Sequence, residues 1–185
     1  EVTGCKVNVS TTSTSGYSEG ILASGASYSS SGNSANYNLI EGNEITGGYC
    51  GIRFYGTNST TNCVQNEFRE NIVTEFYYAG IMVYYQGQVV VDGNTIIDRG
   101  TYSNSYGIYS YYNRTGPQYT RNYIRTQYYG MYTYRVNQDN TTRGQICNNM
   151  VVMYGSGYNY GLRVYYYPYK MDIDNNSINM LTQSD

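Results

Sequence analysis

Short alternating runs of apolar and polar residues, each led by a glycine, recur along the whole chain. They are Gly20-Ile21-Leu22-Ala23, Gly51-Ile52-Arg53-Phe54-Tyr55, Gly80-Ile81-Met82-Val83-Tyr84, Gly107-Ile108-Tyr109-Ser110-Tyr111, Gly130-Met131-Tyr132-Thr133-Tyr134 and Gly161-Leu162-Arg163-Val164-Tyr165. A period of two marks a half-buried strand, because successive side chains leave its two faces in turn. Alternation therefore predicts that the aliphatic residue after each glycine, and the residue two further on, point inward. Outward go one tyrosine row, Tyr55, Tyr84, Tyr111, Tyr134 and Tyr165, and a neighbouring row, Arg53, Met82, Tyr109, Tyr132 and Arg163.

A second anchor, asparagine followed two residues later by an apolar side chain, alternates strictly with the first. It reads Asn43-Glu44-Ile45, Asn66-Glu67-Phe68, Asn94-Thr95-Ile96, Asn122-Tyr123-Ile124, Asn149-Met150-Val151 and Asn176-Ser177-Ile178, at separations of 23, 28, 28, 27 and 27 residues. A third β-prone run precedes the asparagine, as in Gln88-Val89-Val90-Val91 and Lys170-Met171-Asp172-Ile173. Three short strands per repeat cannot enclose a core alone, whereas stacked coils of this length can. The expectation is an all-β parallel β-helix, a β-solenoid of about six coils of three short strands. Its interior would hold Ile52, Phe54, Ile81, Val83, Ile108, Met131, Leu162 and Val164 on one sheet, and Ile45, Phe68, Ile96, Ile124, Val151 and Ile178 on another. The asparagines are read as a ladder that tolerates a left-handed turn and bonds amide to amide between coils. Residues 1–34, rich in Ser, Thr and Gly, read as a degenerate N-terminal coil; 35–185 read as regular coils of one continuous domain, an excerpt of a longer solenoid or a processed chain.

The pattern Gly-Ile-x-x-Tyr, followed by Val91-Asp92-Gly93-Asn94-Thr95-Ile96, resembles the repeats of pectin-lyase-like proteins, including carbohydrate-binding proteins and sugar hydrolases. The resemblance implies a single-stranded right-handed β-helix and covers nearly the whole chain. It leaves function open between polysaccharide lyases, hydrolases, epimerases, phage tailspikes, adhesins and surface proteins without chemistry.

Composition narrows the functions. Of 185 residues 27 are tyrosine, none is histidine or tryptophan, and the net charge of −2 offers no basic footprint for nucleic acid. No apolar run approaches the ~20 residues of a membrane span. Cys5, Cys50, Cys63 and Cys147 form no CxxC pair, so no metal site is expected; buried free thiols are favoured, with a Cys50–Cys63 disulfide left open. The sequons at Asn58, Asn113 and Asn140 fall in expected loops and are the candidates for glycans.

Without histidine, the usual base near neutral pH is missing. The best outward acid–base group is Lys170, Asp172 and Asp174, and no motif of the resembling enzymes is matched residue by residue. No catalytic residue, cofactor or enzyme activity is expected. The contact surface is assigned to Tyr55, Tyr84, Tyr111, Tyr134, Tyr165, Tyr109, Tyr132, Arg53 and Arg163, because soluble proteins seldom expose a long aromatic stripe unused. The expectation is an extracellular or cell-surface structural or adhesive protein that meets copies of itself, end to end or laterally, or neighbouring domains. A polysaccharide-binding or polysaccharide-cleaving β-helix is the alternative.

Overall fold

The chain was analysed as a computed structural model, which describes residues 1–25, 27, 32, 35–57, 63–139, 141–166 and 168–181. Its strands assemble into parallel sheets of seven, seven and six strands, visited in rotation as the chain climbs from coil to coil, with a further two-stranded parallel pair, Cys63–Val64 and Gln86–Gly87. One coil shows the plan: Val90–Asp92 lies in the first sheet, Thr95–Asp98 in the second and Tyr106–Tyr111 in the third. Residues 1–23, irregular in sequence, still give one strand to each of the three sheets, Val2–Thr3, Lys6–Asn8 and Glu19–Ala23. Val2 pairs with Ile40, Val7 with Ile45 and Ile21 with Ile52.

Each inward position stacks on its counterpart in the next coil. Ile40, Phe68, Val91, Tyr119 and Ile146 line the first sheet; Ile45, Val73, Ile96, Ile124 and Val151 the second; Ile52, Ile81, Ile108 and Met131 the third, all nearly free of solvent. A single coil encloses no core, so its inward side chains are buried only against the coils stacked on it. At the C-terminal end Ile173, Ile178, Met180 and Leu181 are exposed.

The leading glycines are required by close approach. A Cβ on Gly107 would sit 2.2 Å from Ile124 Cγ2 and 2.5 Å from the Gly130 carbonyl oxygen, and Gly51, Gly80, Gly130 and Gly161 meet equivalent obstacles.

The asparagine ladder is real, with two corrections. Its rung in the second regular coil is Asn71, not Asn66: Asn43 Nδ2 donates to Asn71 Oδ1 at 2.9 Å, and Asn71 Nδ2 to Asn94 Oδ1 at 3.0 Å. Consequently Val73, not Phe68, stacks between Ile45 and Ile96, while Phe68 belongs to the first sheet beside Ile40. Asn66 serves a second amide ladder at another corner, accepting from Asn38 and donating to Gln86 Oε1 at 2.7 Å. The other correction concerns the left-handed turn, which is made by the residue before the rung. Gly42, Glu70, Gly93, Arg121, Asn148 and Asn175 have φ of 63, 50, 69, 55, 59 and 52°, so the asparagine itself is free to bridge coils. In the first coil Cys5 occupies the rung and only its backbone N–H joins the ladder, to Asn43 Oδ1.

Candidate functional site: a tyrosine sheath on the third sheet

The third sheet carries three outward columns. Strict register places Tyr55, Tyr84, Tyr111, Tyr134 and Tyr165 in one. Their ring centroids follow at 4.8, 5.0, 5.0 and 5.7 Å, all in contact range for aromatic pairs. The middle column runs Arg53, Met82, Tyr109, Tyr132, Arg163. A further column runs from Glu19 through the small residues Cys50 and Ala79 and continues as Tyr106, Tyr129 and Tyr160.

Those small residues overturn part of the expected surface. Above Cys50 and Ala79 the turn residues Tyr49 and Tyr78 stack at 4.9 Å and roof the sheet. Arg53, 4% exposed, and Met82, 3% exposed, lie beneath them. Arg53 is spoken for: its Nη2 donates to Cys50 Sγ at 3.0 Å and stands 3.2 Å from Glu19 Oε1. Arg53 is therefore removed from the contact surface. Arg163, half-buried, does sit among the rings; Tyr165, Tyr160, Tyr132 and Tyr129 surround its guanidinium at 4.7, 5.1, 5.7 and 5.8 Å. Its Nη1 donates to the Tyr129 hydroxyl at 2.6 Å.

Alternation also missed an outer edge to the sheath. Tyr85, Tyr112 and Tyr166 follow the strand-ending tyrosines with φ of 55, 53 and 67°, and Arg135 takes the same place with φ of 50°. A left-handed bulky residue costs about 1 kcal/mol, comparable with the ~0.5–1.5 kcal/mol of an aromatic pair. Arg135 lies 4.3 Å from the Tyr166 ring centroid and donates to the Tyr112 hydroxyl. The visible signal was the doublet Tyr84-Tyr85, Tyr111-Tyr112 and Tyr165-Tyr166.

Most rings of the sheath are half-buried against one another. Burial pushes the Tyr111 and Tyr132 hydroxyls up to about 12 and those of Tyr78, Tyr84 and Tyr106 further still. The surface is thus an array of ring edges and hydroxyls that donate and accept hydrogen bonds, with the guanidinium groups of Arg135 and Arg163 set among the rings.

A network of ion pairs lies elsewhere, on the outer face of the first sheet. Asp92 accepts from Arg69 at 2.9 Å, Thr120 at 2.6 Å and Arg121 at 2.9 Å, and Arg69 also pairs with Glu67 at 2.6 Å. Burial opposes ionisation of Asp92, but hydrogen bonds from Arg121 and Thr120 and the charges of Arg121 and Arg69 outweigh it and hold the carboxyl below the usual range. A carboxylate so paired is a poor proton donor near neutrality. Of the expected group at Lys170, Asp172 and Asp174, Asp172 pairs with Arg143 at 2.5 Å, and Lys170 lies just before the Met171–Asp174 strand. Beside this face a groove of about 540 Å³ is lined by Tyr37, Gln65, Glu67, Gln88, Gln118 and Thr142, among others.

The cysteines are free thiols, Cys5 exposed and the others buried, and among the described residues no three acidic or sulfur ligands cluster as a metal site. Asn113 is withdrawn as a glycan site. Its amide is buried, donating to Val83 O at 3.0 Å and Ser110 Oγ at 2.8 Å beside the buried Tyr119 hydroxyl. Asn58 and Asn140 lie outside the described residues.

The family model described as a right-handed β-helix region matches residues 1–178. The chain belongs to the right-handed β-helix family. That membership supplies the hand of the coil and is consistent with the pectin-lyase-like resemblance. No curated protein and no solved structure matches the chain. Right-handed β-helices include enzymes and non-enzymes alike, so the family leaves the role of this sheath to its own chemistry.

Proposed function

We propose that this right-handed β-helix is a non-catalytic structural or adhesive protein of the extracellular or cell-surface environment, and that it packs laterally against a second copy through its tyrosine sheath. One observation carries the reading: the continuous column from Tyr55 to Tyr165 presents neutral groups that both donate and accept. Such a surface complements its own copy across a two-fold axis, and tyrosine gives large contact area for little conformational entropy. The ion pairing of Asp92 and Asp172 supports a role without catalysis. The extracellular placement rests on composition and on the resemblance to tailspikes, adhesins and surface proteins.

Lateral packing is preferred to end-to-end stacking because the tyrosine columns run from coil to coil along the side of the solenoid. Light scattering across a concentration series tests the proposal. The expected mass rises with concentration for the natural chain and stays monomeric for Tyr111→Ser/Tyr134→Ser/Tyr165→Ser; a natural chain that stays monomeric throughout overturns it.

The groove beside Glu67 and Gln118 favours a second reading, polysaccharide binding. Its amides and the Tyr37 ring suit sugar hydroxyls and the apolar side of a pyranose. Calorimetric titration with neutral and acidic polysaccharides, repeated on Gln118→Ala, would show saturable binding that weakens in the variant; no heat in either arm sinks the reading.

A further inference from the structure

Ring geometry within the sheath is uneven, and the unevenness has chemical meaning. Tyr111 and Tyr134 stack at 5.0 Å with planes 10° apart; Tyr106 and Tyr129 at 4.9 Å and 15°; Tyr129 and Tyr160 at 5.1 Å and 14°. Each pair is directly opposed in the parallel register, so the two rings lie face to face with nearly parallel planes. By contrast Tyr109 and Tyr132, also opposed in register, meet edge to face at 83°.

We propose that the sheath is a site of oxidative modification, in which a one-electron oxidant couples the parallel-stacked tyrosines of consecutive coils into dityrosine. The oxidant class is a haem peroxidase with hydrogen peroxide. Each phenol gives up one electron and one proton; the two radicals join through the ring carbons beside their hydroxyls, and the rings regain aromaticity as those carbons lose their hydrogens and the phenol oxygens are reprotonated. Two protons and two electrons leave in all, and they reduce one peroxide to two waters. The product is a covalent staple between adjacent coils.

Access and transfer both follow from the geometry. Tyr160, Tyr165 and Tyr166 are 38, 42 and 39% exposed, open to a peroxidase at one end of the sheath. From Tyr165 the rings continue inward through Tyr134 at 5.7 Å and Tyr111 at 5.0 Å, so an oxidising equivalent formed outside can pass ring to ring. Burial raises the Tyr111 and Tyr106 hydroxyls, so each is oxidised by losing its proton together with the electron.

Exposure alone would select other residues, since Tyr37 and Tyr158 are 72 and 85% exposed. The dilute natural chain is treated with horseradish peroxidase and hydrogen peroxide, and dityrosine is followed by its fluorescence, by gel mobility and by peptide mapping. The expected product is a monomer lacking two hydrogens per cross-link, with links Tyr111–Tyr134, Tyr106–Tyr129 or Tyr129–Tyr160. Tyr134→Phe, which keeps the stacked ring, loses the first link and retains the others. Dityrosine confined to dimers joined through Tyr37 or Tyr158, or a pattern of links unchanged by Tyr134→Phe, overturns the proposal.

Discussion

Asn122→Ala removes the middle rung of the ladder. Asn122 Oδ1 accepts from Asn94 N at 3.0 Å and from Asn94 Nδ2 at 2.9 Å, while its Nδ2 donates to Val91 O at 2.9 Å and Asn149 Oδ1 at 3.0 Å. The consequences are unequal. Asn94 Nδ2 keeps its bond to Phe68 O, and Asn149 Oδ1 keeps the Asn122 backbone N–H, but Asn94 N–H is left buried without an acceptor. An orphaned buried donor costs about 1–3 kcal/mol and each lost bond about 1 kcal/mol, so a loss of about 4 kcal/mol is expected. Solenoids fail locally before they fail as a whole. The assay is accordingly urea denaturation together with hydrogen exchange of Asn94 and Asn149, and the expected result is accelerated exchange in the two coils flanking the substitution. Asn122→Asp separates donor from acceptor: it keeps both bonds from Asn94 but sets a carboxylate against Asn149 Oδ1. Its folded-state acid is raised above the unfolded value, so stability should recover as pH falls and the acid becomes a donor. An Asn122→Ala loss below about 1 kcal/mol, with exchange unchanged in the flanking coils, refutes the view that these amides hold coil to coil.

Gly107→Ala should cost about 3 kcal/mol through the clash with Ile124 Cγ2, whereas Gly4→Ala, with nothing within 4 Å, carries only the left-handed strain of about 1 kcal/mol; urea midpoints compare them. Ile108→Asp should unfold the middle coils by burying an unpaired carboxylate, while Tyr111→Ser should preserve the far-UV circular dichroism; equal loss in both argues against the inward and outward assignments. Burial raises the Glu19 carboxyl to about 7 from 4.5 although Arg53 partly opposes it. With the folded pKa above the unfolded one, that contribution is complete below about pH 4.5 and lost as pH rises through 7. Hydrogen exchange of the Glu19–Ala23 strand, corrected for intrinsic rates, should show more protection at pH 5 than at pH 8, with the difference abolished in Glu19→Gln.

The coil architecture was legible because glycine and asparagine mark it for mechanical reasons: Gly107 has no room for a Cβ, and Asn122, like Asn71, bridges two neighbouring coils with one side chain. The misplaced rung shows where that legibility stops. Asn66 follows Gln65, whose φ is 54°, and Asn71 follows Glu70, whose φ is 50°; both reach across coils, and only the tertiary register decides which ladder each joins. The column of Tyr55, Tyr84 and Tyr111 followed from alternation. Burial of Arg53 did not, because the roof over it comes from the turn residues Tyr49 and Tyr78, which no strand period describes. Tyr119 was missed for a similar reason. Its hydroxyl is admitted to the interior by Ser110, 2.5 Å away on a different sheet, and by Asn113.

Small-angle X-ray scattering of the natural chain over a concentration series tests the lateral packing most directly, because it separates growth in girth from growth in length. Stacking end to end extends a rod in steps of about 4.8 Å per coil at constant cross-section. Packing sheath to sheath leaves the length unchanged and widens the cross-section to that of two solenoids side by side. The expected result is a cross-sectional radius that rises with concentration and falls back to the single-solenoid value in Tyr111→Ser/Tyr134→Ser/Tyr165→Ser. A single-solenoid cross-section at every concentration, whether or not the particle lengthens, would contradict the role assigned to the tyrosine sheath.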